Sequence, residues 1–210
     1  DEVTYVDGDN WGRWADGGGS SLELCDPRSD NRMPSSWAGS DETSKAPWTL
    51  IEHTGNLDNG RVYNPDELQL LSLGAGECLI DKIEIIKNGS PLSFNGDFES
   101  GLTGWVIQGN HSDSYLETTE GYASARSLHL VSESDGDIGA NRAEIDITGL
   151  TSTDTGITIR ARARWHAGHR DVLLRLLGNW LELSGTLDLP PDLGTPGLVN
   201  SCWVSNAAPA

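Results

Sequence analysis

The sequence predicts an all-β protein, an antiparallel β-sandwich, and three observations carry that reading. Apolar residues recur with a period of two rather than 3.6 along most of the chain. Turn clusters separate the short apolar runs at regular spacing: Gly74-Ala75-Gly76, Asn88-Gly89, 149–156, Ala167-Gly168 and 189–197. Finally, 25 Gly and 9 Pro in 210 residues leave little room for long helices. That length suits one domain, or at most two small ones.

The elements follow in chain order. Residues 48–54 (WTLIEHT), 68–73 (LQLLSL) and 79–86 (LIDKIEII) read as strands, the last two apolar enough to be covered on both faces. The stretch 66–73 is also the best helix candidate, but it runs straight into Gly-Ala-Gly and reads better as a strand. Residues 127–131 (SLHLV), 143–147 (AEIDI), 157–165 (ITIRARARW) and 181–183 (LEL) alternate. Residues 172–177 are apolar and short, so their type stays open. The strands 143–148 and 157–165 read as a hairpin around the polar tip 149–156. Ile145, Ile147, Ile157, Ile159, Ala161 and Ala163 then point inward. Glu144 and Asp146 face outward opposite Arg160, Arg162 and Arg164.

Charge excludes whole classes of partner. Asp and Glu number 32 against 14 Lys and Arg, a formal charge of −18. Such a chain repels a phosphate backbone and an anionic membrane surface. No run approaches the length of a membrane-spanning helix. Only Lys45, Lys82 and Lys87 are lysines. An acidic, lysine-poor surface fits a saline or calcium-containing exterior, or is simply a soluble acidic surface. No signal-like segment opens the chain, so it reads as a mature or excised segment. The three cysteines, Cys25, Cys78 and Cys202, fit no zinc spacing. Either Cys25 and Cys202 close a long loop, or all three are buried thiols.

The run 94–105, FNGDFESGLTGW, resembles the opening strand of carbohydrate-binding modules of the galactose-binding-like jelly-roll type. Residues 127–131 and 157–165 are similar to that family's next core strands. The family's closing pattern is a Trp-containing strand, an apolar strand, a Gly turn and an Ile-Asp strand. It resembles 48–54, 68–73, 74–76 and 79–86, which here precede the opening motif. Each half alone leaves sheet edges and inner faces bare. The resemblance therefore implies one jelly roll over 41–190 in circularly permuted order, with two truncated tandem domains as the competing reading. The flanks 1–40 (ADGGGSSLELCDP within them) and 191–210 (GTPGLVNS within them) resemble the end of a lamin-tail-type domain, closing into a linker.

The same resemblance implies a structural calcium tying the first strand to the last, with Asp97 and Glu99 from the opening motif and Asp81 from the final strand as ligands. The alternative is solvated carboxylates at strand ends; Lys82 stands where the family often has a second acid. For sugar binding the residues offer an outward Trp180 beside inward Leu181 and Leu183. Asn179 and Glu182 are its hydrogen-bonding neighbours, and Tyr115 and His111 lie in a loop-rich segment. Arg164 and Arg175, with Arg160 and Arg162, would meet a carboxylate or sulfate on one sheet surface, or pair with Glu144 and Asp146 instead. His166 and His169, near Asp171, could touch a metal across a Gly turn but lack an evident third ligand, and no Gly-x-Ser-x-Gly elbow, phosphate loop or HExxH is present. These readings imply a non-catalytic module for poly- or oligosaccharide in a large secreted or surface protein. A structural or adhesive spacer and a small glycan-active enzyme are the alternatives.

Overall fold

The computed structural model describes residues 3–5, 11–57, 62–137, 139–177 and 181–190. Asn179, Trp180 and Cys202 lie outside the described residues. Strand periodicity organises what is described. In Ile157–Gly168, the residues Ile157, Ile159, Ala161 and Ala163 are fully buried, while the arginines between them are half-exposed. Each Cβ alternates across the pleat, so one face of the strand is core and the other meets water.

Thirteen strands are present among the described residues: β1 (Leu22–Leu24), β2 (Trp37–Gly39), β3 (Thr49–Gly55), β4 (Glu67–Ser72), β5 (Gly76–Lys87), β6 (Ser90–Pro91), β7 (Trp105–Gln108), β8 (Tyr115–Glu117), β9 (Ser127–Ser132), β10 (Arg142–Asp146), β11 (Ile157–Gly168), β12 (Asp171–Leu177) and β13 (Glu182–Thr186). One sheet runs β13-β12-β4-β10-β7, and a six-stranded one runs β3-β11-β5-β9-β8 with β6 beside β5. The ribbon β1-β2 stands apart, and all named pairings are antiparallel. The fold is an all-β antiparallel sandwich.

Strands from before and after the 94–105 motif interleave. β11 sits between β3 and β5, and β4 sits between β12 and β10. Leu68, Leu70, Ile80 and Ile85 therefore share one hydrophobic cluster with Trp105, Leu128, Ile145, Trp165 and Leu174. Burying each such side chain stabilises the fold by about 1.5–3 kcal/mol.

Two expectations are corrected. β10 and β11 do not form a hairpin: β10 pairs with β4 and β7 in one sheet, β11 with β3 and β5 in the other. The polar segment between them crosses the sandwich, so Glu144 and Asp146 lie on a different sheet from Arg160, Arg162 and Arg164. The 94–105 motif is mostly turns, with strand only from Trp105. Phe98, Gly101 and Gly104 have φ of 56°, 69° and 86°, which a strand does not accept. Asn95 Nδ2 donates to the carbonyls of Gly101 and Thr103 at 2.9 and 3.0 Å. The Trp105 indole donates back to the Asn95 carbonyl at 2.8 Å, and Phe98 stacks on Trp105 at 5.3 Å.

The chain changes sheet at one corner twice, between β4 and β5 and between β11 and β12. The two crossings are tied by Leu73 N–H to the Asp171 carbonyl (2.9 Å) and His169 N–H to the Ala75 carbonyl (2.8 Å). A Cβ at Gly76 would lie 2.6 Å from the His169 nitrogen, and one at Gly168 (φ 73°) 2.5 Å from the Ala75 oxygen. Glycine is required where two backbones approach this closely.

β5 carries a bulge. Asp81 faces Arg162 and Glu84 faces Arg160, so Lys82 and Ile83 together oppose Ala161. Lys82 has φ 52°. The extra residue resets the alternation, which lets Ile80 point to the core together with Ile83 and Ile85 while Lys82 stays exposed.

Candidate functional site

A cleft of about 610 Å³ lies where the N-terminal segment meets the sheet-crossing corner. Its position follows from local packing. Gly168 N–H donates to the Gly18 carbonyl at 2.8 Å, and the Trp14 indole donates to Glu77 at 3.3 Å. A Cβ on Gly18 would come within 2.7 Å of Trp14, and one on Gly19 within 2.6 Å of the Trp165 ring. Gly18 and Gly19 therefore lie flush on two indoles, which gives the cleft an apolar floor.

Polar groups ring that floor. Arg13 and Asp16 are exposed on one side, and His169, Arg170 and Asp171 line the other. The Arg13 guanidinium rests 4.4 Å from the Trp14 ring centre. His169 Nδ1 accepts the Asp171 N–H at 3.1 Å, which places the neutral ring's proton on Nε2, 4.0 Å from an Asp171 oxygen. Asp171 in turn accepts the Thr186 hydroxyl. Planar donors and acceptors around an aromatic floor are the chemistry that recognises vicinal hydroxyls over a CH-rich ring face.

None of the described residues singled out from sequence for sugar binding lines this cleft. Tyr115 sits on edge strand β8, 48% exposed, its ring 4.6 Å from His129. Arg164 is central in the six-stranded sheet. Its Nε donates to the Ala46 carbonyl at 2.7 Å, it pairs with Glu120, and it leans over Trp48 at 5.6 Å. Arg175 lies on the other sheet, only 2% exposed, 3.6 Å from the exposed Glu182. The corner at 168–170 is the reason: it moves the chain from one sheet to the other, so Arg175 does not share a surface with Arg160, Arg162 and Arg164. Asn179 and Trp180 lie outside the described residues. His111 is fully buried; its Nε2 accepts the Ser72 N–H at 3.0 Å, and burial lowers its pKa to about 4. His166 is buried against His129, with ring centres 5.0 Å apart, while His169 faces the cleft.

The carboxylates assigned to calcium share one neighbourhood. Asp81 is 1% exposed. One of its oxygens accepts the Lys82 N–H at 2.5 Å and the other the Tyr122 N–H at 2.7 Å. Burial raises its pKa against those two bonds, and the charges on Asp97 and Glu99 raise it further. A cation beside Asp81 would relieve that field. Among the described residues, however, no group of three or more His, Cys, Asp or Glu side chains is arranged to hold a metal. The donor set therefore fits only in part: one buried carboxylate, with the rest left to backbone carbonyls. Of the cysteines, Cys78 is buried, its thiol pushed up to about 12 by burial, whereas Cys25 is exposed, which corrects the reading of all three as buried thiols.

The signal for the cleft was present in the sequence. Trp14 is followed by Ala-Asp-Gly-Gly-Gly, in which three residues without side chains stand close to a large aromatic. It lies in the segment read only as a flank. No family model, curated protein or solved structure matches the chain.

Proposed function

We propose that this chain is a non-catalytic carbohydrate-binding β-sandwich of the galactose-binding-like jelly-roll type, in circularly permuted order and flanked by lamin-tail-like strands. It serves a large secreted or surface protein and takes a poly- or oligosaccharide in the cleft beside Trp14. The observation supporting this is the cleft itself, an indole floor with Arg13, Asp16, His169, Arg170 and Asp171 around it. Its volume is in the range of small-ligand sites. In this reading calcium sits at Asp81 with Asp97 and Glu99 nearby, and it neutralises the buried carboxylate that the fold otherwise leaves in a field of like charge.

A glycan array at millimolar calcium tests this directly. The expected result is binding to at least one neutral glycan, weakened about tenfold by Asp16→Ala or Arg170→Ala at unchanged melting temperature, the loss of one charged hydrogen bond. A blank array favours the spacer reading, and product release from a polysaccharide favours the enzyme reading; either overturns the proposal. Chelation is expected to lower the melting temperature, and an unchanged one removes calcium from it.

A further inference from the structure

The outward face of the six-stranded sheet carries a second groove, of about 210 Å³, lined by Leu50, Lys82, Glu84, Tyr122, Arg160 and Arg162. It is far smaller than the cleft and differs from it in chemistry. Its charges do not balance. Arg160 is held by Glu84 at 2.6 Å and by Glu52 at 3.6 Å, and Arg164, further along β11, is held by Glu120. Among the described residues neither Arg162 nor Lys82 has an ion-pair partner. Arg162 instead sits over Tyr122, its guanidinium carbon 4.5 Å from the ring centre. Asp81, next to Lys82 in the chain and paired across the strands with Arg162, is buried with both oxygens taken by backbone N–H groups. In a chain of net charge −18, this small groove brings together two cations that have no acidic partner among the described residues.

The groove is built rather than incidental. The β5 bulge sends Lys82 outward, and the Asp81 carboxylate holds the Tyr122 N–H, which seats the ring above Arg162. Trp48 meets Tyr122 edge-on at 5.9 Å and supports it from β3's side. Tyr122 and Leu50 are 41% and 44% exposed and supply apolar contact beside the cations. A guanidinium with an adjacent ammonium matches a carboxylate or sulfate, and the aromatic and aliphatic surfaces match the CH face of a sugar ring.

We propose that this groove is a second ligand site, selective for an acidic saccharide whose carboxylate or sulfate meets Arg162 and Lys82. A nucleic acid is disfavoured because a phosphate backbone needs a run of cations, and the surrounding surface is acidic. The site is independent of the Trp14 cleft, so either assignment can fail alone.

Titration calorimetry of the whole chain tests it, with polygalacturonate, a sulfated galactan, neutral xylan, polyglutamate and a DNA oligomer as probes. The expected result is salt-sensitive binding of one or both acidic polysaccharides, and the pair separates carboxylate from sulfate recognition. Arg162→Gln and Lys82→Gln should each weaken it about tenfold, the loss of one charge-assisted contact. Asp16→Ala, in the cleft, should leave it intact. Should Arg162→Gln fail to fold, Lys82→Gln, at an exposed side chain, carries the test. The proposal is overturned if no acidic polysaccharide binds, if xylan, polyglutamate or DNA binds as tightly, if binding survives both groove variants, or if Asp16→Ala abolishes it.

Discussion

The outward faces of the two sheets carry similar residues and use them differently. On the five-stranded sheet the polar groups are closed in. Gln69 is fully buried and donates to Glu67 at 2.5 Å; Arg142 pairs with Glu144 and approaches Glu67 at 3.6 Å; Arg175, 2% exposed, faces Glu182. On the six-stranded sheet, Arg160 and Arg164 are paired, but Arg162 and Lys82 are left to an aromatic ring and to solvent. The difference is one of counterions, not of strand pattern. A cation matched to an acid within its own sheet rigidifies that sheet, whereas an unmatched cation on an open face remains available to a ligand.

The largest expected effect tests the layer common to both faces. Trp165→Ala should destabilise the protein by about 3–5 kcal/mol and keep a single calorimetric transition, because both sheets share its core. Two transitions would mean that the faces belong to separately folding units. Next, the faces themselves should respond unequally to loss of arginine. Arg175→Ala should cost about 2–3 kcal/mol, less than a fully buried pair because Glu182 is exposed. Arg162→Ala should cost about 1 kcal/mol or less. Equal values in urea denaturation would erase the distinction.

The smallest effect concerns pH. His111, which accepts the N–H of Ser72 at the end of β4, is held neutral by burial, its pKa near 4 against an ordinary 6.5. The unfolded chain binds that proton more readily. The stability tied to neutral His111 is therefore complete above pH 6.5 and is lost progressively as pH falls to about 4. His111→Gln should flatten the melting temperature over that interval; an unaltered pH profile would show that the closed face does not depend on the neutral ring.

Much of the sandwich was legible in the sequence because alternation reports directly which side chains face the core. Ile145, Ile147, Ile157, Ile159, Ala161 and Ala163 are all buried, as period two requires. Pairing was not legible. Two alternating strands separated by a polar tip look like a hairpin whether they pair or cross to opposite sheets, and nothing in 149–156 distinguishes these. β12 was ambiguous because its outward side includes the buried Arg175 and half-buried Leu173, which blur the period. The cleft was missed because its floor joins Trp14 to Trp165, residues distant in sequence that a corner of glycines brings together. Tyr122 drew no notice because its placement depends on partners distant in sequence, the Asp81 carboxylate, the Trp48 ring and Arg162.

The register of β5 has a consequence for how the chain tolerates change. Read without Lys82, the run around it becomes Ile-Asp-Ile-Glu-Ile, an uninterrupted strand in which Ile83 would stand directly opposite Ala161 and every core contact would keep its side. Alternation alone makes no use of that position, although its N–H holds the buried Asp81 carboxylate; a chain shortened by this one residue would still be self-consistent in alternation. What a deletion would remove is an ammonium from the rim of the Tyr122 groove, along with the left-handed kink that carries it. Surface chemistry and architecture are separable here at the level of one amino acid, and length variation at this point would tune what the face attracts while sparing the scaffold.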